Sequence, residues 1–292
     1  MNVRAWAGLA AVTATGVGSL VAWSVTDQER NPTPIAEVVA ASPEQTPAEF
    51  RAPTASPWAP GTGVTVTERT PVPGETIEVG QCTVAYSFTA GERAYAVTAS
   101  HCGMPGDKVW ATVDGVEADF STQAGTFIYS DLYDYESSRL DVGVIEITDP
   151  LHPMPASDLP PDTLVAEQIG QLPEVVCKFG MTTGETCGSP LNSTGVEILA
   201  DHNGVELRAV AATAQVCARA GDSGGPVYAD VEGRRVIVGL VSGTRDSDRD
   251  LACSDPTAGQ MTMSYTSMPA IQTVIDRVVP GAEYRPRAGD AG

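Results

Sequence analysis

Ala220-Gly221-Asp222-Ser223-Gly224-Gly225-Pro226 is the stretch on which the reading of this chain turns. A serine flanked by glycines on both sides lies in backbone too tightly bent for mid-helix or mid-strand. Such a turn can project a hydroxyl into open space and aim neighbouring N–H groups at one point, which is what an acyl-transfer nucleophile requires. Taken alone, the pattern also fits a glycine-rich hairpin with an incidental serine. The rest of the chain decides between the two.

A serine hydroxyl is inert at neutral pH unless a base takes its proton, and the base needs a third group to orient it. The chain has three histidines, His101, His152 and His202, and all precede Ser223. The order Ser, acid, His of an α/β-hydrolase is therefore excluded. An Asp, His, Ser order fails for His101, because the one aspartate before it is Asp27 in a proline-rich tail. His, Asp, Ser survives. Arg93–Gly103 is a β-prone apolar run ending in His101 beside Cys102, and Ser138–Ile147 sets Asp141 at the head of another strand. His152 and His202 sit in turn-like contexts and read as loop residues. Asp131, Asp134 and Asp149 lack the strand-heading Leu-Asp-Val-Gly-Val-Ile context and rank below Asp141 as the acid.

Thr98-Ala99-Ser100-His101-Cys102, then Leu140–Ile147, then Gly221–Pro226, in that order, resemble the chymotrypsin-like (trypsin-type) serine proteases. Spacings of 40 residues from His101 to Asp141 and 82 to Ser223 resemble the compact bacterial members, the streptogrisin and α-lytic protease type. The resemblance covers roughly residues 75–280. It implies an all-β fold of two six-stranded antiparallel Greek-key barrels with a C-terminal helix, and a cleft between the barrels. It also implies a secreted serine endopeptidase acting on polypeptide substrates through Ser223 as nucleophile, His101 as general base and Asp141 as its orienter. Backbone N–H groups of Gly221 and Ser223 would form the oxyanion hole. No cofactor and no metal is expected.

Finer roles rest on the same likeness. Ser242 matches the serine whose hydroxyl supports the buried aspartate, and Ser242-Gly243-Thr244 would pair with an extended substrate as an added strand. Ala218, Arg219 and Ala220 would wall the pocket. Thr244 stands where large-pocket relatives carry glycine, so a small or medium aliphatic residue is expected before the cleaved bond. No Ile-Val-Gly-Gly start, the activating terminus of the animal enzymes, precedes Cys82. Bacterial relatives place an arginine directly after a cysteine. Here Lys178 follows Cys177, and a Lys178–Asp222 ion pair is expected to shape the oxyanion loop, without arginine's bidentate fork. The alternatives are a silent protease-fold binding module and an esterase using the same nucleophile.

Six cysteines allow fifteen pairings. In an exported chain disulfides are the default, and spacing favours neighbours: Cys82–Cys102, Cys177–Cys187 and Cys217–Cys253, pairs that also match bonds of the bacterial family. A zinc site is the rival reading, but no Cys-x-x-Cys occurs.

The 292-residue chain carries a formal charge of −20, which argues against nucleic acid or an anionic membrane surface as partner. Residues 5–25 are apolar after Arg4, and Ala22-Trp23-Ser24 suits cleavage before Val25. Residues 1–24 thus read as a signal peptide, with an uncleaved anchor and membrane association through residues 5–25 as the alternative. Either places the remainder outside the cytoplasm. Residues 25–74, with nine prolines after residue 25, read as a disordered spacer or pro-segment that does not resemble the family's folded pro-region. Residues 75–282 would be the protease domain, barrel 1 at about 75–160 and barrel 2 at about 161–282, expected as a monomer. Short apolar runs separated by Gly, Asp and Asn turns fit that barrel region. Met268, Ile271, Val274, Ile275, Val278 and Val279 predict a helix with Ser267 as N-cap and Pro269 in its first turn. Residues 283–292 read as a frayed tail.

Overall fold

The computed structural model describes residues 48–286, apart from 114, 116, 156–163, 169–171, 201–203, 245–251 and 256–260. In chain order the strands are β1 (Glu49–Pro53), β2 (Gly63–Thr67), β3 (Gly80–Thr83), β4 (Tyr86–Ala90), β5 (Arg93–Thr98), β6 (Lys108–Val113), β7 (Glu117–Asp119), β8 (Gly125–Ser130) and β9 (Gly143–Ile147). They continue as β10 (Leu164–Gln168), β11 (Val176–Gly180), β12 (Gly184–Ala200), β13 (Glu206–Gln215), β14 (Pro226–Val231), β15 (Arg234–Thr244) and β16 (Met263–Ser267), then helix α1 (Met268–Val278) and β17 (Tyr284–Pro286).

The first sheet runs β3-β2-β6-β8-β9-β5-β4, with β7 beside β6. Its two ends, β3 and β4, are joined by Val84 and Ala85 alone, so one bent segment closes the sheet into a barrel of six strands. At the bend Val84 N donates to Thr62 O and Ala85 N to Val97 O, both at 2.8 Å. Closing a sheet on itself pairs strand edges that would otherwise stand free. Val64, Tyr86, Phe88, Val97, Phe127, Val144 and Ile145 are buried in its core. The second sheet contains β14-β11-β12-β13-β16-β15, and β15 pairs back onto β14, which closes a second six-stranded ring. Its β15 edge continues into β10, in parallel, and then into β1 and β17.

Helix α1 follows β16 without a break and buries Met268, Ile271, Val274 and Ile275, packing beside β10, β15 and β16. Pro269 stands in the first turn, where a missing N–H costs nothing. Ser267 occupies the N-cap position with extended backbone, but its hydroxyl makes no capping bond.

Both ends of the folded part differ from expectation. The region read as a spacer to residue 74 supplies β1 and β2, and β2 is an integral stave of the first barrel, paired with β3 and β6. Phe50, Trp58, Val64 and Val66 are all buried. The prolines of this region hid the pattern: they interrupt periodicity between strands of only five residues, and Gly-Val-Thr-Val-Thr of β2 is buried on both faces, so no alternation shows. The tail at 283–292 likewise contributes β17, which pairs with β1. Tyr284 stacks on Phe88, and the Arg51 guanidinium lies 3.9 Å from the centre of its ring. The expected segment 1–24 and residues 25–47 of the expected spacer 25–74 lie outside the described residues, as does His202. Among the described residues no helix is long and apolar enough to cross a membrane.

Candidate active site

His101 stands in a 3-10 turn, Ser100–Cys102, reached one residue after β5 ends. Asp141 lies two residues before β9, and β9 pairs with β5 so that Gly143 faces Thr98. This register brings the two chain ends together. His101 Nδ1 lies 2.9 Å from Asp141 Oδ2, and the His101 backbone N–H donates to Asp141 Oδ1 at 3.0 Å. Asp141 is completely buried and His101 nearly so. A carboxylate gripped by both the ring and the main chain of one histidine fixes the ring's orientation as well as its tautomer.

Ser223 belongs to the loop between β13 and β14, and the first barrel holds this loop through Thr83. Thr83 N donates to Ser223 O at 2.8 Å, and Thr83 Oγ1 donates to Gly221 O at 2.7 Å. Thr83 adjoins Cys82, whose disulfide partner Cys102 adjoins His101. The segment bearing Ser223 is thus tied to the segment bearing His101 by one disulfide and one pair of hydrogen bonds. Gly221 has φ of +93°, a left-handed value that a side chain disfavours, and a Cβ there would collide with Thr182 Oγ1. This twist alternates the directions of the loop's amides. Asp222 N donates to Arg219 O and Gly224 N to Val241 O, whereas Gly221 N and Ser223 N have no protein acceptor among the described residues.

The loop is pinned from below by Asp222, a fully buried carboxylate with five donors among the described residues. Oδ1 accepts from Thr182 N at 3.1 Å and Thr183 N at 3.0 Å. Oδ2 accepts from Thr183 Oγ1 at 2.6 Å, Lys178 Nζ at 2.8 Å and Arg219 N at 2.9 Å. Lys178, also fully buried, spends its remaining donors on Gly184 O at 3.0 Å and on Thr183 Oγ1. Burial pulls the ammonium below the ordinary lysine value, an effect the Asp222 charge and hydrogen bond partly offset. Gly180 makes room for this arrangement, since a Cβ there would overlap the Asp222 carboxylate.

Ser242 departs from expectation. A register irregularity falls between Val241 and Gly243 in the β15–β16 ladder, and the buried Ser242 hydroxyl meets Thr266 Oγ1 at 3.2 Å. Among the described residues Asp141 accepts its side-chain bonds from His101 alone, so the expected Ser242–Asp141 bond is not formed. The irregularity turns the hydroxyl towards β16. Gly243 and Thr244 are half-buried, and Thr244 Oγ1 donates to Thr262 O at 3.4 Å. Ala218 is buried, Arg219 half-buried and Ala220 exposed. Met261, absent from the sequence-derived site, is fully buried against the Cys217–Cys253 disulfide.

The remaining candidates lie elsewhere. Asp131 bonds to Tyr129, Arg277 and Leu140 N rather than to a histidine. Asp134 and Asp149 accept backbone N–H groups of their own loops, from Glu136 and Leu151. Cys177, Glu185 and Cys187 come close enough to suggest metal ligands, but both sulfurs are joined in the disulfide that spans β11 and β12. Sequence reasoning missed Thr83, Thr182 and Thr183. Their one local signal was position: Thr83 follows the first cysteine, and the two others form a turn four residues past Lys178.

A family profile described as Trypsin matches residues 77–257. Among solved structures, the chain is similar to Thermobifida fusca Protease A at 19% identity, covering 78% of this chain and 98% of that one with a TM-score of 0.49. Nocardiopsis protease matches at 19%, with 78% and 98% covered and a TM-score of 0.47. Cellulomonas bogoriensis chymotrypsin matches at 18%, with 78% and 97% covered and a TM-score of 0.45. Since the family profile spans well over half of it, the chain belongs to the trypsin family and is a serine-type endopeptidase, a hydrolase of polypeptides.

Proposed function

We propose that Ser223 Oγ attacks the scissile carbonyl while His101 takes its proton and passes it to the leaving amine, with Asp141 stabilising the imidazolium. The observation that carries this reading is the doubly bonded, buried His101–Asp141 pair, 2.9 Å at Nδ1, together with a serine loop whose Gly221 and Ser223 N–H groups have no acceptor among the described residues while their neighbours are paired. Two such donors converge on the oxygen of a tetrahedral intermediate, where each is worth roughly 10²–10³ in turnover. The Lys178–Asp222 pair gives the loop a resident cation in place of a newly cut N-terminus, so the oxyanion geometry needs no N-terminal trigger.

The substrate would add as a strand along Ser242–Thr244, and a small or medium aliphatic residue would precede the cleaved bond. Thr244 in that strand, with Met261 packed against the Cys217–Cys253 disulfide, supports a shallow apolar pocket. Three disulfides support a chain made for an oxidising compartment outside the cytoplasm. A fluorophosphonate probe tests the assignment. It should label Ser223 in the intact chain and fail to label His101→Ala. Labelling that survives His101→Ala would overturn it. In a peptide panel, Ala and Val should outperform Phe before the scissile bond, and the reverse order would overturn the pocket reading.

A further inference from the structure

Asp131 is a completely buried carboxylate that the catalytic scheme above does not use. It opens a second 3-10 turn, Asp131–Tyr133, directly after β8. Its Oδ1 accepts from Tyr129 OH at 2.9 Å and from Arg277 of α1 at 2.6 Å. Its Oδ2 accepts from Leu140 N at 2.9 Å and Ser137 Oγ at 3.3 Å. Its backbone N–H donates to Val142 O at 3.0 Å. One residue therefore grips both chain neighbours of Asp141, Leu140 by side chain and Val142 by main chain. The next residue of the turn, Leu132, donates its N–H to Ser100 Oγ at 2.9 Å, and Ser100 immediately precedes His101.

The loop so gripped needs holding. Arg139, two residues before Asp141, has a left-handed φ of 58°, unfavourable for a residue with a Cβ. Its carbonyl accepts from Val210 N of β13 at 2.6 Å. Arg277, in the last turn of α1, also donates to Tyr129 OH at 2.6 Å, so the helix end is locked onto the same cluster.

We propose that Asp131 and Arg277 form a positioning clamp for the acid–base pair, setting Asp141 against His101 from the C-terminal helix. This rests on the triad reading of His101 and Asp141. Neither residue touches substrate; both act through the segments beside the reacting groups. Asp131→Asn replaces one acceptor oxygen by an N–H₂, which must face a donor from Leu140, Ser137, Tyr129 or Arg277, so part of the grip is lost without a change of size.

The test compares purified wild type, Asp131→Asn, Arg277→Met and Arg277→Lys. A displacement of the order of 1 Å at the pair predicts a kcat about 10- to 100-fold lower in Asp131→Asn and about tenfold lower in Arg277→Met, with KM nearly constant. Arg277→Lys, which keeps the charge, should recover most of the loss. The downfield proton resonance of the His101–Asp141 hydrogen bond should shift in both damaged variants. Variants that melt at lower temperature but keep kcat and that resonance would show a mere structural brace and overturn the proposal. Failure of the wild type to label at Ser223 would instead overturn the triad reading beneath it.

Discussion

Asp141 and Asp222 are both sealed from solvent, yet among the described residues Asp141 takes two hydrogen bonds from one residue, His101, whereas Asp222 takes five from Lys178, Thr182, Thr183 and Arg219. The difference follows from what each faces. On the proposed triad, Asp141 serves a group that gains and loses a proton, so its partner has to be able to change charge. Asp222 has an ammonium and four further donors, three of them backbone N–H groups, which fix the loop. In a low-dielectric interior a pair of this second kind is weak evidence of net stability but costs heavily to break. On that proposal the first carboxylate orients a titratable ring, while the second holds a loop.

The sharpest way to break the contrast is Asp141→Asn, which keeps size and should leave the fold intact while the imidazole takes the wrong tautomer. A fall of about 10⁴-fold in kcat, with little change in melting temperature, is expected from paired kinetics and calorimetry. Lys178→Met should do the opposite in kind. Leaving Asp222 buried and unpaired is expected to cost about 3–5 kcal/mol in a urea melt. Loss of the loop geometry should lower kcat/KM by roughly 10²-fold or more. Full activity in that variant, with an intact loop, would remove Asp222 from its assigned role.

Thr83→Val probes the bridge between the two regions. It strands Met181 N and Gly221 O, both bonded to the lost hydroxyl, for about 1–3 kcal/mol each. A kcat about tenfold lower should accompany it, because the Gly221 peptide is freed to rotate. An exposed pair gives the smallest effect and a baseline for the buried ones. Hydrogen bonds from Arg93, with its charge, hold Glu146 below the ordinary carboxylate value of 4.5. The contribution of the pair is therefore fully present above that pH and is lost as pH falls through the lowered value. The small gap in melting temperature between wild type and Arg93→Ala should close in acid, and should also shrink in high salt.

Legibility along the chain tracked how local each signal was. His101, Asp141 and the Gly221–Pro226 loop each sit in a short contiguous pattern, and the apolar spacing of α1 is a property of eleven consecutive residues. Thr83 shows no such pattern. Its importance comes from an acceptor 138 positions away at Gly221 and a donor 98 positions away at Met181. Ser242 misled for the complementary reason: its neighbours match a familiar strand, but a register irregularity in β15 sends its hydroxyl to Thr266. The proline-rich stretch before residue 74 misled because its strands have only five residues and β2 is buried on both faces, leaving no alternation to read.

From its residues alone this chain pointed to an all-β serine endopeptidase, with His101, Asp141 and Ser223 as its proposed reacting groups, because backbone turns and apolar runs are written in consecutive residues. Folding in three dimensions decided what surrounds those groups: which carboxylate bonds which donor, how β1 and β17 extend the sheet beyond β10, and how Asp131 reaches both neighbours of Asp141. Hydrogen bonds between distant segments depend on register and close approach, and neither is encoded within any one stretch.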